Sequence, residues 1–443
     1  MKPISLSLFI GYGHGPRGWD HPRMRDHYDW RHPELYQDLA LVCERGIFEM
    51  FIFADVLAIP TSYLNSPDVA IKFGLEGICH DPVPLVAMIA AKTTHIGVAA
   101  TLSTTYYPPF MLARLLTSLD HLTRGRIGWN LVTSSNQASA RNFGQSRLPP
   151  HDERYDIADE YMELCGRLWE SWAKDAVLEP PGDVIFADPT KVHPIHFEGK
   201  HFRCEGPLNA VPSPQGRPVI IQAGASDRGR DFAARHADVV ICSKNTIDDM
   251  KAFHDDVKQR AVKHGRKETE CQIIYTFNAM MIGATEEIVR KKQSDLEQIS
   301  NSLLEAGLVK ISRTVGHDVS VYPLDEPLPA FDETDLQTGR SLLLKYYSMG
   351  RTPTLRQVAA NEVIKENFPV RGTYEQVAER LIHVMDEVGG DGYAVRANYL
   401  SDSLAGYVVE FVDHVVPILQ REGYARTSYP PGTLRERLRA GRA

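Results

Sequence analysis

Four apolar runs in this chain stop at side chains that make hydrogen bonds. Asp55 ends "FIFADV"; Thr101, Ser103 and Thr104 end "HIGVAATLSTT"; Asn130, Thr133 and Ser134 end "GRIGWNLVTS"; Ser226 follows "VIIQAGA". Such groups cost free energy when they leave water unpaired. An apolar strand that finishes in them reads as one that meets a polar ligand. Any one alone reads as a helix cap or turn residue; the convergence of four points to a shared site. "AGASDRGRDFA" has the makings of an anion site at a helix N-terminus, with Gly224 allowing close backbone approach and Ser226 as the cap. His151 and Tyr155 in "HDERYDIADEY" stand four residues apart, so on a helix they project together. Tyr155 also falls in an apolar stripe with Ala158, Met162, Cys165, Trp169 and Trp172, which is a core pattern. Beside His151 at strand ends it reads as a phosphate contact.

"GYGHGPRG" looks like a dinucleotide loop, because Gly13, Gly15 and Gly18 satisfy a G-x-G-x-x-G spacing after an apolar strand. A Rossmann loop continues into an amphipathic helix, whereas "WDHPRMRDHYDW" carries a Pro and no apolar helical period. The segment instead carries His14, Trp19 and His21 past the end of the first strand. No H-E-x-x-H, Walker or G-x-S-x-G motif is present, and no H-x-H ends a strand, so no metal site is expected.

These groups need regular elements to position them. Runs rich in Val, Ile, Ala and Phe alternate with helix-period segments: "ISLSLFI" with "PELYQDLALVCERG", "FEMFIFADV" with "DPVPLVAMIAAKT", "HIGVAATLSTT" with "PPFMLARLLTSLDHLT". "GRIGWNLVTS" pairs with "DERYDIADEYMELCGRLWESW", "RPVIIQAG" with "SDRGRDFAARH", and "ADVVICSK" with "TIDDMKAFHDDVKQRAVKHG". "CQIIYTFNAMMIG" with "TEEIVRKKQSDLEQIS" and "GYAVRANY" with "VVEFVDHVVPILQREG" complete eight pairs. Continuously apolar strands belong to a parallel sheet covered on both faces. Right-handed crossovers allow an open doubly wound sheet or a closed ring. Eight units favour an α/β fold, a (β/α)8 TIM barrel with long insertions, whose C-terminal strand ends form one mouth.

Two stretches exceed a minimal barrel. Residues about 173–216 are rich in Pro and Gly and contain a hairpin pattern, "IHFEGKHFRCEG"; residues about 301–369 include "RTVGHDVSVYPLDEPLPAFDETDLQTG". Long segments of this kind commonly serve as lids or docking elements. The chain reads as a single domain, 1–443, with a C-terminal extension at about 424–443 expected to pack over the outside of the domain or on a neighbour. That exposure suggests a homodimer or homotetramer, and the basic "RERLRAGR" reads as a solvated helix end. A formal charge of −8 leaves no basic excess to displace counterions from phosphates, which argues against a nucleic-acid partner. Six scattered cysteines with no C-x-x-C pair read as reduced thiols. "MKPISLSLFIGYGHG" lacks an A-x-A cleavage site and fits a first strand. "VPLVAMIAA" falls well short of the roughly 18 apolar residues of a membrane span, so no membrane partner and a cytoplasmic location are expected.

"SLDHLTRGRIGWNLVTS", "HDERYDIADEYMELCGRLWESW", "VIIQAGASDRGRDFAARHAD", "TYEQVAERL" and the terminal "GTLRERL", in that order, resemble one family. It is the flavin-dependent monooxygenases of the nitrilotriacetate, dibenzothiophene-sulfone and long-chain-alkane group, in the bacterial luciferase-like superfamily. The likeness runs nearly end to end, with "STTYYPPFMLAR" and "HPIHFEGKHF" leaning toward the alkane branch. The resemblance implies a barrel that takes reduced FMN from a separate NAD(P)H:flavin reductase. With O2 as co-substrate it would oxygenate a small organic molecule.

Carried over by matching motifs, the flavin contacts would be Asp55, Thr101, Thr133 or Ser134, His151, Tyr155 and Ser226, with Asn130 on the isoalloxazine edge. The alkane-type pattern has a His after the Thr-Ser of strand four. This chain has Ser135 there, which weakens an alkane assignment and offers a hydroxyl to oxygen or substrate. The second insertion would be a lid bringing in His317, with His14 and His21 as further proton-handling candidates. Loops such as "GWDHP", "VLAIPTSYLN", "FNAMM" and "LLLKYYSMG" lean the substrate toward an apolar or aromatic compound over a polycarboxylate. Two other readings stay open: a deazaflavin-dependent dehydrogenase of the same superfamily, and a non-catalytic flavin-binding protein.

Overall fold

The computed structural model describes residues 3–13, 26–75, 77–181, 184–329, 331, 346, 352–364, 368, 370–396 and 403–440. Eight parallel strands form a closed barrel: β1 (Ser5–Gly11), β2 (Met50–Ala54), β3 (Gly97–Ser103), β4 (Ile127–Val132), β5 (Val219–Gln222), β6 (Val239–Cys242), β7 (Gln272–Phe277) and β8 (Gly392–Arg396). Each pairs with its neighbours in sequence, and β8 closes on β1. The (β/α)8 barrel expected from the apolar runs is the observed fold. Side chains alternate across a strand. Met50, Ile52, Ala99, Val219, Ile221, Val239, Ile241, Ile274 and Ala394 fill the interior as one cluster. Phe51, Phe53, Val98, Trp129, Ile220, Val240 and Ile273 belong to the core shared with the surrounding helices. Burial on both faces is why most of these strands show no polar alternation, β1, where buried Ser5 and Ser7 alternate with Leu6 and Leu8, being the exception. Toward the C-terminal strand ends the inward register turns polar, at Thr101 and Ser103 on β3 and Asn130 on β4.

Helices α1 (Glu34–Arg45), α2 (Val83–Ala90), α3 (Pro109–Leu122), α4 (His151–Trp169), α5 (Asp227–His236) and α6 (Ile247–Lys263) follow their strands. α4 buries Tyr155, Ala158, Met162, Cys165 and Trp169, the stripe visible in its sequence. α5 and α6 start at side-chain caps: Ser226 accepts from Gly229 N, and Thr246 from Asp249 N. The hairpin expected in the first insertion forms, with Phe197–Glu198 antiparallel to Arg203–Cys204.

The connection between β7 and β8 differs from expectation. It contains α7 (Glu286–Ser302), α8 (Leu304–Val315), α9 (Leu355–Ile364) and α10 (Tyr374–Val388). The barrel helix is α10, "TYEQVAERL", which packs on α6, whereas the expected α7 packs on the short strand Met281–Gly283 and on α9. That short strand pairs in parallel with Arg371–Thr373, so the insertion is pinched off at residues 281 and 373. α7 and α10 are both amphipathic. α10 alone has a capping box from Thr373 and Gln376, a left-handed Gly389 at its end, and a short loop into β8. The insertion has its own core, in which Ala306, Val309 and Ile311 of α8 meet Leu355, Val358 and Ala359 of α9 and Tyr63, Val69 and Leu75 from the β2–α2 connection.

The C-terminal extension is also corrected. Leu434 and Leu438 of α11 (Leu434–Arg439) join the interior cluster and plug the N-terminal end of the barrel. Gln272 Nε2 donates to the Leu438 carbonyl, and a Cβ at Gly97 would come within 2.6 Å of Leu434. Arg437 is buried and Arg435 largely so, while Arg439 stays exposed. Buried Asp238 bonds Arg217 at 2.9 Å and lies 3.7 Å from Arg435 and 3.5 Å from Arg439. Burial pushes the Asp238 carboxyl up, but Arg217 and Arg435 outweigh it and hold it below its ordinary value. A carboxylate under the barrel floor needs cations, and Arg217 supplies the first and the tail the others. The dimer or tetramer inferred from an exposed tail loses that support. Among the described residues, no helix is long and apolar enough to cross a membrane, and no three His, Cys, Asp or Glu side chains are grouped to hold a metal. All six cysteines are unpaired.

Candidate active site

The barrel mouth holds a chain of hydroxyls. Thr101 Oγ1 donates to the Phe53 carbonyl at 2.6 Å and accepts from Asn130 Nδ2 at 2.7 Å. This fixes the Asn130 amide and leaves its Oδ1 buried with no partner among the described residues. Nearer the rim, Ser103 Oγ and Ser134 Oγ lie 2.8 Å apart. Ser134 has φ 52°, a left-handed conformation that costs a non-glycine residue about 1–3 kcal/mol and is held here by its surroundings. Ser103, Ser134, Ser135, Asn136 and Ser139 line a cavity of about 180 Å³ together with Asp55, Val56, Leu57, Thr101, Tyr107, Val132 and Arg313.

Asp55 accepts from Val56 N at 2.8 Å, with Cys79 Sγ 3.7 Å away. Burial raises its carboxyl above the usual range; the Val56 N–H opposes this and the nearby Asp81 adds to it. The Tyr107 hydroxyl is pushed up to about 12, by burial first and then by Asp81 and Asp55, so it stays a neutral donor.

Beside the cavity, α4 and α5 pack side by side with their N-termini together. Ser226 Oγ accepts from Gly229 N at 3.0 Å and lies 3.2 Å from His151 Nε2. His151 Nδ1 is 2.6 Å from Asp152 Oδ1. Nδ1–H donates to the Asp152 carboxylate, which turns Nε2 toward the Ser226 hydroxyl. The Tyr155 hydroxyl accepts from Gln222 Nε2 at 3.3 Å and is also hydrogen-bonded to Thr133. Burial raises it, with Gln222 and Arg154 partly opposing, so it too remains a donor. Glycine is required at two places around it: a Cβ at Gly224 or Gly229 would lie 2.8 Å from the Tyr155 oxygen. Two helix N-termini, a serine, a histidine and a phenol thus converge as an anion site should.

The structure therefore brings His151, Tyr155 and Ser226 together, with Thr133 linking them to Ser134 and the cavity. Asp55, Thr101, Ser134 and Ser135 line that cavity, and Asn130 braces Thr101. His14 and His21 lie outside the described residues. His317 is exposed beyond the end of α8, its Nε2 3.4 Å from the Tyr322 hydroxyl, and is not among the cavity-lining residues. The insertion side chain that does reach the cavity is Arg313, one helical turn earlier. Sequence reasoning also passed over Tyr107, Asn136 and Gln222. Gln222 carried a usable signal, a polar residue ending an apolar strand two positions before Gly224, whereas Arg313 is one charge among many on an amphipathic helix.

The family described as luciferase-like monooxygenase matches residues 22–392. Dibenzothiophene-sulfone monooxygenase of Rhodococcus erythropolis is 36% identical over 449 residues, covering 99% of this chain and 97% of its own. Long-chain alkane monooxygenase of Geobacillus thermodenitrificans is 35% identical over 431 residues, covering 96% and 91%. The crystal structure of riboflavin lyase with modified FMN and substrate riboflavin superposes with a TM-score of 0.84 at 30% identity, covering 99% and 96%. Sulfone and alkane relatives stand level, so overall similarity does not select a substrate.

Proposed function

Since the chain belongs to the luciferase-like monooxygenase family, we propose that it is a two-component monooxygenase that uses reduced FMN and O2 to oxygenate a small organic substrate. The carrying observation is the meeting of His151, Tyr155 and Ser226 at two helix N-termini, next to a hydroxyl-lined cavity at the barrel mouth. The residues present fit a phosphorylated flavin. Ser226, Tyr155, His151 and the free N–H groups of α4 and α5 would hold the phosphate. Thr133, Ser134, Ser103 and Thr101 would take the ribityl chain and ring edge. The orphaned Asn130 Oδ1 offers an acceptor to a ring N–H donor.

Reduced FMN, when bound, supplies the electrons that activate O2. The protein binds, orients and excludes water. Burial raises the Asp55 carboxyl above its ordinary value, which favours its holding a proton at the cavity wall. The Tyr107 phenol and the Ser135 hydroxyl donate toward whatever occupies the cavity. A separate NAD(P)H:flavin reductase would supply the flavin. Val56, Leu57 and Val132 give one apolar patch to a lining that is otherwise polar. The testing experiment supplies photoreduced FMN and oxygen and screens sulfones, aromatic heterocycles, alkanes and aminopolycarboxylates. A substrate that suppresses peroxide release and appears oxygenated supports the proposal; oxygen use that always ends in peroxide contradicts it.

A further inference from the structure

A buried cation stands beside the seat formed by His151, Tyr155 and Ser226. Arg154 lies in the first turn of α4, three residues after His151 and next to Tyr155, and is 4% exposed. Its Nε is buried with no hydrogen-bond partner, and among the described residues no carboxylate pairs with its guanidinium. The Tyr106 hydroxyl, just past the polar end of β3, is likewise buried with no partner among the described residues. Burial disfavours the charge on Arg154, and the phenols of Tyr155 and Tyr106 are the groups that oppose this. Other arginines nearby are committed. Arg228 lies over the Tyr155 ring at 5.6 Å, but it donates to Asp156 at 3.0 Å and to Asp159 at 2.5 Å. Arg230 pairs with Asp256 at 2.6 Å. At His151 the Asp152 carboxylate, 2.6 Å away, sets a negative charge against any incoming anion. A guanidinium stays protonated in a protein interior. Leaving it buried and unpaired destabilises the chain, and an anionic ligand offsets that cost.

We infer that Arg154 is the specificity-determining cation of the seat, receiving the phosphate of the ligand as its counter-ion, with the Tyr106 hydroxyl donating beside it. This rests on the reading of the seat as a flavin phosphate site and names the ligand class it selects: a phosphomonoester over the corresponding neutral alcohol. Ser226, Tyr155 and the helix N–H groups can hydrogen-bond a neutral hydroxyl as well as a phosphate. The guanidinium gains strongly only from an anion.

Arg154→Met keeps an apolar stem and removes the charge. The test measures titration with FMN and with riboflavin, and urea denaturation without flavin, on full-length wild type, Arg154→Met and Arg154→Lys. Expected in Arg154→Met is FMN binding roughly 10- to 100-fold weaker, riboflavin binding unchanged within about twofold, and a flavin-free urea midpoint equal to or above that of wild type. Arg154→Lys keeps the charge without the planar fork and should retain part of the FMN preference. An arginine that only supported the fold would behave differently: its loss would lower the midpoint and weaken both ligands alike, and that result overturns the proposal. A wild type that binds FMN and riboflavin equally, or binds neither, defeats the phosphate-seat reading itself. A wild-type preference for FMN that survives undiminished in Arg154→Met defeats the Arg154 assignment alone.

Discussion

Tyr155 and Gly229 are packed so closely that the tyrosine hydroxyl occupies the space a β-carbon on residue 229 would need, at 2.8 Å. Gly229→Ala should gain helix preference but lose more to overpacking, a net destabilisation of about 1–3 kcal/mol. Combining it with Tyr155→Phe removes the obstructing oxygen, so the double variant should be more stable than the sum of the singles by about 1 kcal/mol. Urea denaturation of the cycle measures this. Strict additivity would show that the two residues do not share the space.

Asn130→Ala removes one hydrogen bond to Thr101 and an unsatisfied acceptor at the same time. These effects oppose each other, so flavin-free stability should change by no more than about 1 kcal/mol. FMN affinity should fall roughly tenfold or more. Thermal melts with and without FMN report both quantities. Undiminished stabilisation by FMN would separate Asn130 from the flavin.

The raised carboxyl of Asp55 gives a pH signature. Its proton leaves at higher pH in the folded chain than in the unfolded one. Its contribution to stability is therefore complete below the ordinary carboxylate range and is lost as pH rises through the folded value. Asn keeps the acceptor for Val56 N and never ionises. Asp55→Asn should exceed wild type in stability at pH 7.5, with the difference shrinking as pH falls through the raised folded value and levelling off below about 4. Urea midpoints across this range check it; a gap that widens in acid would reverse the assignment.

Much of the fold was legible because the barrel strands are buried on both faces, and eight apolar runs favour a closed ring over the open doubly wound sheet that the same crossovers allow. Choosing between α7 and α10 was harder. Both have an apolar face, and only the pairing of Met281–Gly283 with Arg371–Thr373 shows which one covers the barrel. The tail misled through its charge: arginines read as solvated until Asp238 is found beneath the barrel floor. Strand-end residues such as Thr101 and Asn130 were visible as polar endings to apolar runs. His317 attracted attention for its chemistry, but α8 ends at Val315 and the left-handed Gly316 carries His317 out to solvent, whereas Arg313 in the last turn reaches the cavity.

The plug at the barrel floor carries its own prediction. Leu438 is buried in the interior cluster, so Leu438→Ala should cost about 2–5 kcal/mol. Chemical denaturation gives the value. A change below about 0.5 kcal/mol would mean that α11 does not close the barrel.

The most direct measurement compares FMN with riboflavin, in oxidised and anaerobically reduced forms, binding to wild type and Ser226→Ala by fluorescence or absorbance titration. Ser226 caps α5 and bonds His151, so it should distinguish the two ligands through the phosphate alone. Expected is saturable one-to-one binding with FMN preferred over riboflavin by roughly tenfold or more, and a preference that largely disappears in Ser226→Ala. Equal affinity for FMN and riboflavin in the wild type, or no binding of either in both redox states, would contradict a phosphate seat at the meeting of α4 and α5.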